Sequence, residues 1–289
     1  MATGLNLWSD VSSISNAMLQ AADHVIRETY QMQNFVTVRG DMSGGNLRKL
    51  HQYNTLTAGV VNEGEEVLSQ TFTPSLLATL TPYVYGDAYF VSDLRRDSEA
   101  PEDIIRDGAA ELAYSMGDLL ESHLVTDMAS LTGGTVGAAG TAITWGYVAA
   151  AIAQARNANK SANVPLSCVI HGYQAAVLAK SASIAGATVA VAPNTQDQVT
   201  QRGMTQAFSF LGVPIYQVFS SPNSLDDFTG GVFPKTAIML DWRKRNTLEA
   251  QRDAKKIGTD FVMSGSWAHG VWKPTLGIQM VFDASAPSS

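Results

Sequence analysis

Cys168 and His171 are the residues in this chain whose types best suit nucleophilic chemistry, because a thiol beside an imidazole is the usual activated nucleophile. Three apart in a strand, however, two side chains point to opposite faces. Cys168 therefore reads as a small core hydrophobe and His171 as a cap on its strand or on the helix that follows. His24, His51, His123 and His269 are too dispersed for a metal site by spacing, and His123, near the apolar stripe of a long helix, reads as structural. Asp226-Asp227 has the composition for acid–base work, but Ser221-Pro222-Asn223 before it and Gly230-Gly231 after it mark a solvated loop. Gly133, Gly134, Gly137 and Gly140 lack the G-x-G core of a dinucleotide turn, and neither a P-loop nor a zinc-protease helix is present. The run Trp242-Arg243-Lys244-Arg245 reads as a solvated turn at a strand end rather than a DNA contact. The expectation is a protein with no catalytic, cofactor or metal site.

Composition points the same way. Of 289 residues, 45% are hydrophobic and only 16% charged, against roughly a quarter charged in an average soluble domain. A neutral polar surface of that kind suits extensive contact with neighbouring subunits. The formal net charge of −7, with scattered Lys and Arg, leaves no basic face for phosphates, so specific nucleic-acid binding is disfavoured. A single cysteine excludes an internal disulfide framework and fits a reducing compartment. Residues 1–20 carry neither a basic n-region nor an unbroken apolar run, and nowhere do about 18 apolar residues follow one another. The chain is expected to be neither secreted nor membrane-spanning.

The elements that would position these residues run in a clear order. Residues 1–34 are polar with weak helical spacing and read as an extended arm. Residues 35–69 are short β-like pieces broken by Gly40, Gly44, Gly45, Gly59 and Gly64, which reads as a long hairpin with little core of its own. Residues 71–91 read as strands around a Gly86-Asp87 turn, followed by a charged connection over 92–100. Pro101-Glu102-Asp103 opens a helix whose stripe Ile105, Ala109, Leu112, Met116, Leu119, Leu120 and Leu124 runs toward Ser130, a spine of roughly 40 Å. A glycine-rich flexible connector (132–141) leads to a helix (144–157), a strand (164–170), a helix (173–183) and a polar loop (185–205). Strands are then expected over 213–219, 236–242, 247–255 and 276–282; in the last, Leu276, Ile278, Met280 and Phe282 share one face. The class is α+β.

Particular stretches carry a family likeness. They are Tyr89-Phe90-Val91-Ser92-Asp93-Leu94 with Asp97-Ser98 before the spine, Val169-Ile170-His171-Gly172-Tyr173-Gln174 with Leu178 beyond, and Leu211-Gly212-Val213-Pro214-Ile215-Tyr216. Gln251-Arg252-Asp253-Ala254, Trp267-Ala268-His269-Gly270-Val271 and Gly277-Ile278-Gln279-Met280 complete the series. In this fixed order they resemble the major capsid proteins of tailed bacteriophages with the Hong Kong 97-like fold. The resemblance implies an N-terminal arm (1–34), an E-loop hairpin (35–69), a peripheral domain strand and spine helix (70–131), an axial domain (132–242) and a return to the peripheral domain (243–289). It further implies a virion subunit assembled in the host cytoplasm, forming pentamers and hexamers of an icosahedral shell that encloses DNA without sequence-specific binding. On that mapping Arg48, Lys49, Glu65 and Glu66 are inter-subunit contacts of the E-loop, and Asn194, Gln196, Asp197 and Gln198 lie near a capsomer axis. A separate scaffolding protein, a portal and a cement protein are the implied partners, with no membrane. Some relatives join subunits by a Lys–Asn bond; Lys49 stands where such a lysine could be, but without an identifiable partner or activating acid. Two alternatives stand beside this reading: an encapsulin-type compartment shell of the same fold, and a cytoplasmic α+β hydrolase using Cys168 or an acidic pair.

Overall fold

The computed structural model describes residues 32–40, 47–54, 56–64, 66–98, 101–161, 163–184, 206–219 and 226–286. The expected arm therefore lies outside the described residues up to position 31. The first elements are α1 (Met32–Phe35), β1 (Thr37–Arg39), β2 (Arg48–Tyr53), β3 (Pro74–Leu80) and β4 (Tyr83–Ser92). Then come α2 (Asp93–Ser98), the spine α3 (Pro101–Asp127), a 3-10 turn (Met128–Ser130), β5 (Thr135–Gly137), α4 (Trp145–Ala158), β6 (Leu166–His171) and α5 (Gly172–Ile184). The chain closes with β7 (Gln206–Phe210), β8 (Val213–Val218), β9 (Asp227–Pro234), β10 (Ile238–Asp253), β11 (Gly258–Val271) and β12 (Ile278–Asp283).

Helix α3 is the 27-residue rod that the stripe predicts. Ala109, Leu112, Ala113, Met116, Leu120 and Leu124 recur at helical spacing and are buried, whereas Tyr114 and Leu119 face out. Mid-helix glycine is usually unfavourable by about 1 kcal/mol, yet Gly108 is required here. A Cβ at that position would stand 2.4 Å from the Tyr89 ring of β4.

The helix lies on a four-stranded sheet of order β1-β10-β11-β4, in which β1 is parallel to β10 and the other pairs are antiparallel. A six-stranded sheet of order β5-β12-β9-β6-β8-β7 carries α4 and α5 over one core, lined by Val148, Ile152, Ala175, Leu178, Cys168 and Ile215. Its opposite face, through Val169, Val218, Phe228 and Phe233, joins the spine core. Strands β2 and β3 form a separate two-stranded sheet.

Several elements differ from the sequence expectation. Gly86-Asp87 is no turn: β4 runs straight through it, paired to Ser264 and Met263 of β11. A Cβ at Gly86 would lie 3.1 Å from the Met263 carbonyl oxygen, so the glycine serves close strand approach. The strands expected at 236–242 and 247–255 are one 16-residue strand, because register shifts around Lys244 absorb the intervening residues as bulges. The Trp242-Arg243-Lys244-Arg245 run is thus inside a strand, not in a solvated turn. Strand β11 was hidden in a Gly- and Ser-rich stretch, whose glycines allow contact: a Cβ at Gly258 would meet the Phe90 ring at 2.3 Å. The connector 132–141 includes β5. Strand β12 does not return with β10 and β11; it pairs with β9 and β5 in the six-stranded sheet, because its buried face of Ile278, Met280 and Phe282 belongs to the core under α4.

The burial of α3 gives a direct test by chemical denaturation. Leu124→Ala, at a fully buried position, should lower stability by about 2–5 kcal/mol, while Leu119→Ala on the outer face should change it by less than about 1 kcal/mol.

Candidate functional site

A two-stranded ribbon with no sheet to join needs other means of keeping its shape. In β2–β3 the backbone ladder runs from Arg48 opposite Leu80 to Tyr53 opposite Pro74. Beyond it, side-chain amides replace the missing rungs. Asn54 donates from Nδ2 to the Thr71 carbonyl (2.8 Å) and accepts from the Thr73 N–H (2.9 Å). Gln70 donates to the Thr57 carbonyl (2.6 Å) and accepts from the Thr57 N–H (3.1 Å). Tyr53 and Phe72 stack across the ribbon with ring centroids 4.5 Å apart. The ribbon is braced but covers little: Val60 is 95% exposed and Leu68 87%, with Leu56, Val67, Phe72 and Leu76 also exposed. Apolar exposure on that scale marks a surface made for contact.

Among the described residues, the ribbon is fixed to the sheets at its base. Leu50 and Leu80 pack on Met239 of β10 and Ala268 of β11. Beside them, Arg48 Nε donates to Asp241 Oδ2 at 2.8 Å, and Arg243 Nη2 reaches the same oxygen at 3.1 Å. Asp241 is fully buried, so it stays in place because both guanidinium groups offset its desolvation.

A second joint lies where the chain enters the fold. The Met32 N–H donates to Glu121 Oε2 of α3 at 3.2 Å, Phe35 packs on Tyr216 of β8 with centroids 3.9 Å apart, and β1 pairs with β10. Residues 32–39 therefore touch the spine and both large sheets. Burial pushes the Glu121 carboxyl up from 4.5 to about 7; the Met32 hydrogen bond opposes this and Asp118 adds to it. At the C-terminal end of α3, Asp127 Oδ2 and His269 Nδ1 are 2.9 Å apart, and His123 stacks on His269 at 4.6 Å. Burial and then the neighbouring His269 lower the His123 pKa, against the pull of Asp127.

Of the residues singled out in the sequence, Arg48 and Lys49 are adjacent at the ribbon's base: Arg48 turns inward to Asp241 while Lys49 is exposed. Glu66 is exposed beside the distal turn. Glu65, Asn194, Gln196, Asp197 and Gln198 lie outside the described residues. Cys168 and His171 belong to opposite faces of β6. Cys168 is sealed in the core, where burial pushes its thiol up to about 12. His171 Nδ1 accepts the Tyr173 N–H (3.2 Å) and its own N–H donates to Gln174 Oε1 (3.1 Å), which caps the start of α5. Asp227 accepts the Gly140 N–H at 2.7 Å, while Asp226 sits at a left-handed turn with φ 61°. Among the described residues no group of three or more His, Cys, Asp or Glu side chains could hold a metal ion. Sequence reasoning passed over Asp241 and Glu121. The signal for Asp241 was there: one acid inside the run Ile238-Met239-Leu240-Asp241-Trp242.

No family model matches the sequence, and no curated protein does. Solved structures do. A structure from Mycobacterium phage Che8 is 17% identical with a TM-score of 0.66, covering 90% of this chain and 93% of the other. The capsid of Ralstonia phage GP4 is 10% identical with a TM-score of 0.66, covering 88% of each chain. A virus-like particle from Pyrococcus furiosus is 11% identical with a TM-score of 0.55, covering 91% of this chain and 97% of the other.

The Glu121 joint makes stability depend on pH in a defined direction. A carboxyl raised to about 7 by burial is favoured neutral in the fold, so its contribution is full below the ordinary carboxyl range and is lost as pH rises through about 7. The shift corresponds to on the order of 3 kcal/mol. Melting temperatures of the parent and Glu121→Gln should accordingly diverge between about pH 5 and pH 8, the parent losing stability that the variant keeps. The difference between the two curves removes the histidine contributions they share, and parallel curves would refute the assignment.

Proposed function

We propose, from the Hong Kong 97-like capsid fold that these likenesses establish, that the chain is the major structural subunit of an icosahedral shell, assembling as pentamers and hexamers around the double-stranded DNA of a tailed phage. The observation that carries the reading is the braced ribbon. Among the described residues it has almost no core of its own, is held at its base, and presents Leu56, Val60, Val67, Leu68 and Phe72 to solvent. Apolar surface of this kind gains free energy when something covers it, and on a shell fold the nearest cover is the neighbouring subunit.

On this proposal α3 and the four-stranded sheet form the peripheral domain. The six-stranded sheet with α4 and α5 forms the axial domain, extended to take in β12. Lys49, Glu65 and Glu66 are contacts on the ribbon, and Asn194, Gln196, Asp197 and Gln198 approach the capsomer axis. The net charge of −7 suits a wall that encloses DNA without holding it. Scaffolding, portal and cement proteins are the partners this role would use, with assembly in the host cytoplasm. The likeness to the Pyrococcus furiosus particle favours a second reading, a compartment shell, which differs in what is packaged. The hydrolase alternative has less support, since the Cys168 thiol is buried and pushed to about 12.

Negative-stain electron microscopy of the protein, expressed alone and with a neighbouring scaffold gene, should reveal closed shells or rings of five and six subunits. A monodisperse monomer under both conditions would overturn the proposal. Replacing 54–73 with a short turn should leave a cooperative melting transition and abolish closed shells. Shells from that variant would remove the ribbon from assembly.

A further inference from the structure

The ribbon's base combines two kinds of contact. The apolar patch of Leu50 and Leu80 on Met239 and Ala268 is non-directional, so it keeps the ribbon on the sheet without setting the angle at which it leaves. The contact from Arg48 to Asp241 is directional. We infer that the Arg48–Asp241 ion pair is a positioning element that sets the elevation of the ribbon above the four-stranded sheet, and so which part of a neighbouring copy it reaches. That consequence rests on the shell reading; the tether itself does not.

Three observations carry the inference. Asp241 is fully buried on the central strand β10 and cannot turn away to solvent. Arg243 is two residues along the same strand, so its contact with Asp241 is local and survives loss of the ribbon. Arg48 comes from 193 positions away and ties the ribbon to the sheet. Leu50, on the same face of β2 as Arg48, is the pivot, and the register shift between Leu50 and His51 kinks the strand just beyond it. Past the kink the Asn54 and Gln70 rungs make the ribbon a lever. At the extended limit of about 3.3 Å per residue, the arm from Leu50 to the turn at Glu63-Gly64 reaches at most roughly 40 Å, so a change of roughly 10° at the base moves the tip by up to about 7 Å. A small directional contact at the pivot therefore governs a large displacement. Alternation along β2 then divides the labour, with Arg48 inward as tether and Lys49 outward for contact.

Distances between spin labels test this in unassembled subunits diluted with unlabelled protein. One label goes at Gly59→Cys, where nothing lies within 4 Å of an added Cβ, and one at Glu111→Cys on the exposed face of α3. Cys168 is buried and escapes labelling. The parent should give one narrow distance distribution, and Arg48→Met should broaden it about twofold with the melting transition retained. Should Arg48→Met fail to fold, Arg48→Lys keeps the charge and loses the guanidinium geometry, and it should broaden the distribution less. An unchanged width in whichever variant folds overturns the tether. Counting closed shells in micrographs separates the second claim: yield should fall about tenfold in Arg48→Met. Parental yield with a broadened distribution would show that elevation does not govern assembly. If the parent itself forms no shells, the shell reading fails while the distances still decide the tether.

Discussion

Everything in this fold depends on one shared apolar seam, the inner stripe of α3 and its continuation through Met128 and Leu131. Leu112, Met116 and Leu120 seat the helix on the four-stranded sheet, and Leu124, Met128 and Leu131 carry the same core into Phe228 and Phe233 of the six-stranded sheet. The chain leaves the helix along a fixed track. Thr132 N–H donates to the Pro274 carbonyl at 2.8 Å and Gly133 N–H to the Gly277 carbonyl at 3.0 Å. A Cβ at Gly133 would lie 2.4 Å from the Thr275 carbonyl oxygen, so only glycine fits there. The spine is therefore a common wall, and each sheet loses buried area if the other shifts along it.

Apolar burial of this kind is strong and non-directional. Direction comes from a few polar groups at the joints. Glu121 receives the entering chain, Asp127 faces His269 at the far end of the spine, Asp241 holds the ribbon, and Gln174 bridges three elements through its bonds to the Phe228 and Phe282 carbonyls and the His171 N–H. Each is buried or, like His269, half-buried. Desolvation offsets much of what such groups contribute to stability, so their main effect here is geometric.

How much of this was legible depends on which signals are local. Helix α3 was readable because Pro101 opens it and its buried stripe recurs from Ala109 to Leu124, about four turns, and β12 because Ile278, Met280 and Phe282 alternate. A coreless hairpin was expected over 35–69 from its glycines and charges, but the ribbon's strands are β2 and β3, so it runs on to Leu80, while Thr37–Arg39 leave it to pair with β10. Strand β11 was not, since its Gly and Ser residues read as loop when their purpose is to admit Phe90, Asn246 and their neighbours from adjacent strands. Gly86 misled for the same reason. The sheet that claims β12 could not be read either, because one strand's pattern tells which face is buried and nothing about the strand beside it. Arg48 was legible as a charge but not as a tether, since Asp241 is 193 positions away.

The uneven placement of apolar surface is the remaining physical fact to account for. Large hydrophobics on the spine and the sheets are mostly buried, while those on the ribbon between Tyr53 and Leu77 are nearly all exposed. Charged residues, only 16% of the chain, are too few to mask them. A ribbon that gained stability from collapsing onto its own sheet would bury Val60 or Leu68 there. Instead the Asn54 and Gln70 rungs brace it in an extended form, away from its own core. Side-chain amides spent on rigidity in a segment with no core stabilise a shape rather than a fold. A rigid, apolar, outstretched shape lowers the entropy lost when it docks, and on the shell reading proposed above it is another copy of the chain that completes its burial.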